Sequence, residues 1–251
     1  MLTDRQAIEL FHLHFLRLLC AGPDKGRHAI KGGCNLRFFF GSVRYSEDLD
    51  LDTSGLPVYA LREKVSRLLA GPALAMALDA QGIALGPTSA PKQTETTQRW
   101  KIALLPRGST TPLHTRVEFS RRATLEQPKT EPVDAGLLSQ YRLMPLLLPH
   151  YLLDAAIRQK VGALVGRATA QARDVFDLAT LFARAAGKVD ALAGSKAQLP
   201  RAIERAMQIS YDEFRSAVAS FFAPEDRDLY GSREAWDAMV EQVVDRLEAA
   251  S

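Results

Sequence analysis

Cysteine is scarce in this chain: Cys20 and Cys34 are the only two among 251 residues. Two thiols are too few for a disulfide framework or a cysteine-based zinc cage, and they predict free thiols in a reducing compartment. Long apolar runs are missing as well. The best candidates, Ile8–Leu19 and Leu143–Leu153, are interrupted by His, Arg or Pro and fall short of the roughly 20 residues a membrane span needs. The opening "MLTDRQAIEL" carries early charge and no apolar run before a small-residue cleavage site, so no secretory signal is read there. A cytoplasmic protein with no membrane partner is the expectation. Internal repeats and low-complexity tracts are absent. His12, His14, His28, His114 and His150 show no ligand spacing, which leaves core or surface positions as their default. Charge of one sign is not in great excess either. Lys and Arg number 32 against 29 Asp and Glu, and the pI is about 8.9. That balance permits a nucleic-acid partner without requiring one.

What is present divides the chain in two. Ile8, Phe11, Phe15, Leu18 and Leu19 recur at helical spacing behind a Thr3 or Asp4 cap, predicting a first helix. A short strand is expected over His28–Lys31, broken by Gly32-Gly33, then a brief helix over Asn35–Phe40. Leu49 and Leu51 alternate with acids as a strand, and Leu61–Leu78 reads as one amphipathic helix. Arg99–Leu105 and His114–Ser120 give two further strands, after which the polar stretch Arg122–Gly136 reads as a linker. From Leu152 onward the pattern is helical only, over Leu152–Arg167, Ala170–Ala186, Ser195–Met207, Tyr211–Phe222 and Ser232–Ala249. The fold class expected is α+β: a mixed-sheet domain over 1–133, followed by an all-helical domain over 134–251.

The chemistry concentrates in "KGGCNLRFFFGSVRYSEDLDLD", Lys31–Asp52. Side chains two apart on a strand share a face, so Ser46, Asp48, Asp50 and Asp52 point one way while Leu49 and Leu51 enter the core. Strands disfavour aspartate, and like charges on one face repel. A divalent cation between the carboxylates resolves the conflict, and carboxylate oxygens suit Mg²⁺; an acidic edge strand that resists aggregation is the plainer alternative. Gly32-Gly33 before a helix allows close approach of backbone N–H groups to a phosphate. Glu118 alternates with Val117 and Phe119 as a possible third carboxylate. In the helical part Lys160 and Arg167 lie seven apart on one face, with Val161, Leu164 and Val165 on the other, so both are candidates to reach a triphosphate. Arg173 and Asp174 open the following helix, with Asp177 one turn on.

The blocks "KGG-x-N-L-R…G-x-x-R-Y-S-E-D-L-D-L" and "K-x-x-A-L-x-x-R…R-D-x-F-D-L", in this order across Ala29–Leu178, resemble the AbiEii toxin-like nucleotidyltransferases. That group includes the MenT toxins and belongs to the DNA polymerase β-like superfamily. The resemblance implies a nucleotidyltransferase-type fold with a helical domain completing the active-site cleft, and it implies roles for matching positions. Gly32 and Gly33 form the loop before the nucleotide, with Ser46 near the phosphates. Asp48 and Asp50 hold Mg²⁺ or Mn²⁺, Lys160 contacts the triphosphate, and Asp174 is a further acid beside Arg173. Cys34 departs from the small or hydroxyl residue many relatives carry. The activity implied is transfer of nucleotides from an NTP to an RNA acceptor, a tRNA 3′ end, by the toxin of a toxin–antitoxin or phage-defence system with a cognate antitoxin. Arg121, Arg122, Arg158, Arg167 and Arg173 are then expected to track the RNA backbone. Two alternatives stay open: a nucleotide-binding or interaction module without catalysis, and an antibiotic-type nucleotidyltransferase with a small-molecule acceptor.

Overall fold

The computed structural model describes residues 2–121, 127–185, 192 and 196–250. The chain forms two compact units, Met1–Asn35 with Ser46–Tyr151, and Leu36–Tyr45 with Leu152–Ser251.

The first unit is built on a seven-stranded sheet. Its elements are α1 (Asp4–Leu19), β1 (His28–Lys31), the start of α2 (Gly32–Phe39), β2 (Asp48–Thr53), α3 (Val58–Ala70), α4 (Pro72–Asp79), β3 (Ile83–Gln93), β4 (Thr97–Pro106), β5 (Leu113–Ser120), β6 (Lys129–Pro132), α5 (Ala135–Gln140) and β7 (Leu147–His150). The strand order is β3-β4-β5-β2-β1-β7-β6. It is a mixed sheet: β2 runs parallel to β5 and antiparallel to β1, and β1 runs parallel to β7. Helix α1 starts in a capping box between Thr3 and Gln6 and packs on α3, α4, β4 and β5. Because β7 pairs with β1, residues 134–151 belong with the sheet rather than with the helices that follow.

Three differences from the sequence expectation have local causes. The helix expected over Leu61–Leu78 is two helices. Gly71 is extended at φ −80° and ψ 147°, as a residue before proline prefers, and the Pro72 ring cannot continue the helix that precedes it. Strand β3, read as no element, contains Pro87 and Pro91. It lies on the edge of the sheet, and the prolines fall where its register with β4 slips, between Leu85 and Thr88 and between Ser89 and Lys92, the places a strand tolerates them. Strand β6, inside the expected linker, is the opposite edge and ends at Pro132.

The second unit has no strand among the described residues. It contains α6 (Leu153–Gly166), α7 (Ala172–Arg184), α8 (Leu199–Met207), α9 (Tyr211–Ala217), α10 (Pro224–Tyr230) and α11 (Arg233–Glu248). Its core takes in Val161, Leu164, Val175, Phe176, Phe182, Phe214, Phe222 and Trp236. Phe214 and Trp236 stack with centroids 4.5 Å apart. The helix expected over Tyr211–Phe222 ends at Ala217 and passes through a 3-10 turn, Ala219–Phe221, into α10. The architecture is α+β.

Candidate active site

Strand β2 alternates as its sequence demands. Leu49 and Leu51 are fully buried, whereas Asp48, Asp50 and Asp52 are half-buried on the opposite face. The three acids do not share one environment. Asp52 is held within the unit, by an ion pair to Lys31 on the neighbouring strand and by the Tyr151 hydroxyl at 2.7 Å. Asp50 lies beside the first residue of α2. Gly32 has φ +66°, and a Cβ built there would sit 3.2 Å from Asp50 Oδ2. Glycine meets both demands at once, the left-handed backbone and the close approach of the carboxylate. Because Gly32 opens α2, the N–H groups of the first turn lack intrahelical partners, and the helix's first residue lies against Asp50. Asp48 accepts from Arg116 Nη2 at 2.5 Å; Arg116 stands across from it on β5.

Behind the strand the backbone of β2 is fixed by a buried polar network. Ser46 Oγ donates to the Asp48 carbonyl at 2.8 Å, and Cys34 Sγ lies 3.3 Å from the same oxygen. Thr115 donates to the Glu47 carbonyl at 2.6 Å and also meets His12 Nε2 at 2.8 Å. Since the Thr115 hydrogen goes to Glu47, His12 Nε2 is the donor to Thr115, and the ring carries its proton there. Burial lowers the His12 pKa to about 3, so the imidazole is neutral. Burial first, and the Asp50 charge second, raise the Cys34 thiol well above its ordinary value, so it is protonated. Ser46, expected near the phosphates, thus holds a backbone carbonyl of the acidic strand.

Glu118 pairs in register with Asp50, but its Oε2 lies 2.6 Å from Arg99 Nε and 4.0 Å from Arg116 Nε. Its charge is met by guanidinium on both sides. Among the described residues no three His, Cys, Asp or Glu side chains converge as a ready-made metal cage. Two aspartates are a fitting set for Mg²⁺ or Mn²⁺ all the same, since such ions commonly take one or two carboxylates and fill the remaining positions with phosphate and water oxygens.

The second unit holds a buried charge cluster. Asp174 and Asp177, three apart on α7, are both fully buried. Lys160 Nζ on α6 lies 2.5 Å from Asp177 Oδ2 and 3.5 Å from Asp174 Oδ1. Arg44 Nη2 reaches both Asp177 oxygens at 3.2 Å, and Arg167 Nε donates to Asp174 Oδ2 at 2.7 Å. Asp174 Oδ1, despite the nearby ammonium, has no hydrogen bond. Burial pushes the Asp177 carboxyl up, but the Arg44 and Lys160 charges outweigh it and hold the pKa below its ordinary value. Lys160, the candidate to reach a triphosphate, is buried between the Asp174 and Asp177 carboxylates. Arg44 had no role assigned from sequence; its one signal was its place inside the "G-x-x-R-Y-S" block.

The arginines expected along RNA differ in setting. Arg121 donates to the Gln98 side chain and the Leu56 carbonyl in the first unit. Arg158 is half-buried on α6, Arg167 is the C-cap of α6 and pairs with Asp174, and Arg173 is exposed on α7. Arg122 lies outside the described residues.

The family model of the AbiEii nucleotidyl transferase toxin, type IV toxin–antitoxin system, matches residues 14–250. Among solved structures the chain is similar to MenT4, a nucleotidyltransferase toxin from Mycobacterium tuberculosis, with TM-score 0.65 and 19% identity over 98% of this chain and 84% of that one. It is also similar to JHP933 from Helicobacter pylori, with TM-score 0.62 and 17% identity over 99% of this chain and 95% of that one. At such identities the likeness establishes the fold. No curated protein matches the sequence. No helix among the described residues is long and apolar enough to cross a membrane. The family match takes in the acidic strand of the first unit and the charge cluster of the second together, and on that ground the chain belongs to the AbiEii family of nucleotidyltransferase toxins.

Proposed function

We propose that the chain transfers nucleotides from an NTP to the 3′ end of a tRNA, with Mg²⁺ or Mn²⁺ held by Asp48 and Asp50, and that a cognate antitoxin restrains it in the cell. The observation that carries this reading is the placement of Asp48 and Asp50 on one face of β2, with the Cβ-less Gly32 against Asp50 Oδ2 at the start of α2. The acceptor hydroxyl attacks the α-phosphate in line and pyrophosphate leaves. When bound, the metal supplies a positive centre that polarises phosphate oxygens and offsets their charge. The chain's own parts are simpler. Asp48 and Asp50 hold and orient, and the Gly32-Gly33 backbone presents N–H groups to anionic oxygen. The Ser46, Cys34, Thr115 and His12 network keeps the strand backbone from shifting. The expected roles of Lys160, Arg173 and Asp174 toward the nucleotide, of Glu118 as a third acid, and of Arg121, Arg122, Arg158 and Arg167 toward RNA belong to the same proposal and rest on the resemblance.

A tRNA end suits the chemistry because it is single-stranded and its terminal ribose carries the attacking hydroxyl. The test is incubation with each labelled NTP, Mg²⁺ and total RNA, repeated with tRNA whose terminal ribose has been opened by periodate. Label on intact tRNA and none on oxidised tRNA is expected. Undiminished label on oxidised tRNA, or label on protein alone, rejects the tRNA 3′ end.

A further inference from the structure

The sheet face that carries Asp48 and Asp50 also carries a row of positive charge. Arg116 stands directly across from Asp48, and Lys101 on β4 stands directly across from Arg116. Residues opposite one another on neighbouring strands share a face, so two like charges sit side by side there. The carboxylate nearest Arg116 along its own strand, Glu118, is bound to Arg99 at 2.6 Å and stays 4.0 Å from Arg116 Nε. That Nε is buried and makes no hydrogen bond. The bond that holds the guanidinium is the one from Nη2 to Asp48 Oδ2. Arg116 thus sits on a carboxylate the reaction needs, with a donor left over and a like charge at its side.

We propose that Arg116 and a divalent cation compete for Asp48, and that the triphosphate of a metal–nucleotide complex decides the competition by drawing Arg116 onto its own oxygens. This rests on the reading of Asp48 and Asp50 as the metal-holding pair. Both partners of the Arg116–Asp48 pair are about one-third exposed, at 35% and 33%, and an ion pair in that setting is weak. A guanidinium fork matches phosphate oxygens, and turning toward them gives the unpaired Nε an acceptor. A divalent cation arriving alone meets a carboxylate already neutralised and a guanidinium that repels it. Arriving with a triphosphate, it brings the anion that Arg116 prefers. Metal and nucleotide therefore enter together, and Arg116 becomes a phosphate contact once they have.

The test is a Mn²⁺ titration of the full chain without nucleotide, followed by electron paramagnetic resonance, for wild type, Arg116→Gln and Asp48→Asn. Arg116→Gln is expected to bind Mn²⁺ at least about tenfold more tightly, because a unit positive charge beside the site is gone. The same variant should bind an NTP analogue blocked at the α–β bridge about tenfold more weakly in the presence of Mn²⁺, since a charged phosphate contact is lost. No merely structural role moves these two affinities in opposite directions. Arg116→Lys keeps the charge without the fork, and serves if the glutamine variant unfolds. It should hold Mn²⁺ affinity near wild type while nucleotide affinity drops. Unchanged or weaker Mn²⁺ binding by a folded Arg116→Gln, with Asp48→Asn weakened as expected, overturns the competition. If Asp48→Asn binds Mn²⁺ like wild type, the metal-holding role of Asp48 is what fails, and the competition falls with it.

Discussion

The buried cluster on α6 and α7 gives an asymmetric prediction. Three cations, Arg44, Lys160 and Arg167, meet two carboxylates, Asp174 and Asp177, so the cluster carries 3 − 2 = +1. Removing the Lys160 ammonium brings it to zero. Removing the Asp177 charge brings it to +2, inside a region where Asp177 is fully buried and the Arg44 and Lys160 side chains are 9% and 10% exposed. Breaking a buried pair costs about 3–5 kcal/mol when it strands a charge, and Asp177→Asn strands most of two. Lys160→Met keeps the aliphatic stem. It leaves Asp177 with Arg44 at 3.2 Å and Asp174 with Arg167 at 2.7 Å; its cost is that of a lost charged hydrogen bond offset by relieved repulsion, about 1 kcal/mol.

In a chain of this size about 1 kcal/mol moves Tm by roughly 2–4 °C. Asp177→Asn should therefore lower the midpoint of the helical unit by roughly 6–20 °C and Lys160→Met by roughly 2–4 °C. Trp236, stacked on Phe214 in that unit, reports its unfolding by fluorescence. Trp100, the other tryptophan, can be replaced by Phe, because its indole N–H makes no hydrogen bond. A Lys160→Met cost equal to or above that of Asp177→Asn refutes the charge count. The pH dependence has a fixed sign. The folded Asp177 pKa is below the ordinary 3.8, so its contribution is present above that value and is lost as pH falls through the folded pKa. Wild type and Asp177→Asn should converge in stability only in strong acid.

Asp48→Asn and Asp50→Asn should each abolish nucleotide transfer, measured with labelled NTP, while circular dichroism stays that of wild type; Asp48→Asn gives up a part-exposed ion pair to Arg116, which costs at most about 1 kcal/mol. Asp52→Asn should behave differently, because it loses Lys31 and weakens the Tyr151 bond; a loss of about 1 kcal/mol in stability is expected, with transfer retained in the folded fraction. Gly32→Ala places a Cβ at φ +66° and 3.2 Å from Asp50 Oδ2, so a strain of about 1–2 kcal/mol should accompany a loss of transfer larger than that strain explains. Burial lowers His12 to about 3 and His28 to about 4. A depressed histidine stabilises above its ordinary 6.5 and loses that contribution as pH falls toward the folded value, so denaturant unfolding of the first unit should show stability dropping below pH 6.5 by about 1.4 kcal/mol per pH unit for each ring. A flat profile between pH 6.5 and 5 would contradict the buried neutral state of both.

The parts of this molecule that a sequence discloses are those set along one segment. The alternation of Leu49 and Leu51 with Asp48, Asp50 and Asp52 fixes which acids share a face, and the three-residue step from Asp174 to Asp177 puts both on one side of α7. The partners of Lys160 follow no such local rule. On α6 Leu164, set on the other face in the sequence reading, is one turn on from Lys160 and shares its side; what the segment itself does not disclose is that α7 brings two carboxylates against the ammonium. The edge strands β3 and β6 were hidden for a related reason. Their prolines argue against a central strand and are tolerated only because each lies on an edge, a fact about neighbours rather than composition.

Pairing across elements is where local pattern ends, and the site's charge balance is decided there. Glu118 on β5 has the right alternation to join Asp48 and Asp50, and from its own strand nothing argues against it. Register settles its surroundings: β4 sets Arg99 opposite Glu118, and β5 sets Arg116 opposite Asp48. A shift of one residue in either pairing would turn those arginines to the other face and leave the three acids without nearby guanidinium. Arg44 and Asp177 meet across 133 residues, with no signal in either segment beyond a motif shared with relatives. The opposite charges around the acidic strand and in the buried cluster are therefore brought together by register and tertiary contact. A substitution that shifts the β2–β5 register, leaving every charged residue in place, should disable transfer as fully as loss of Asp48 itself.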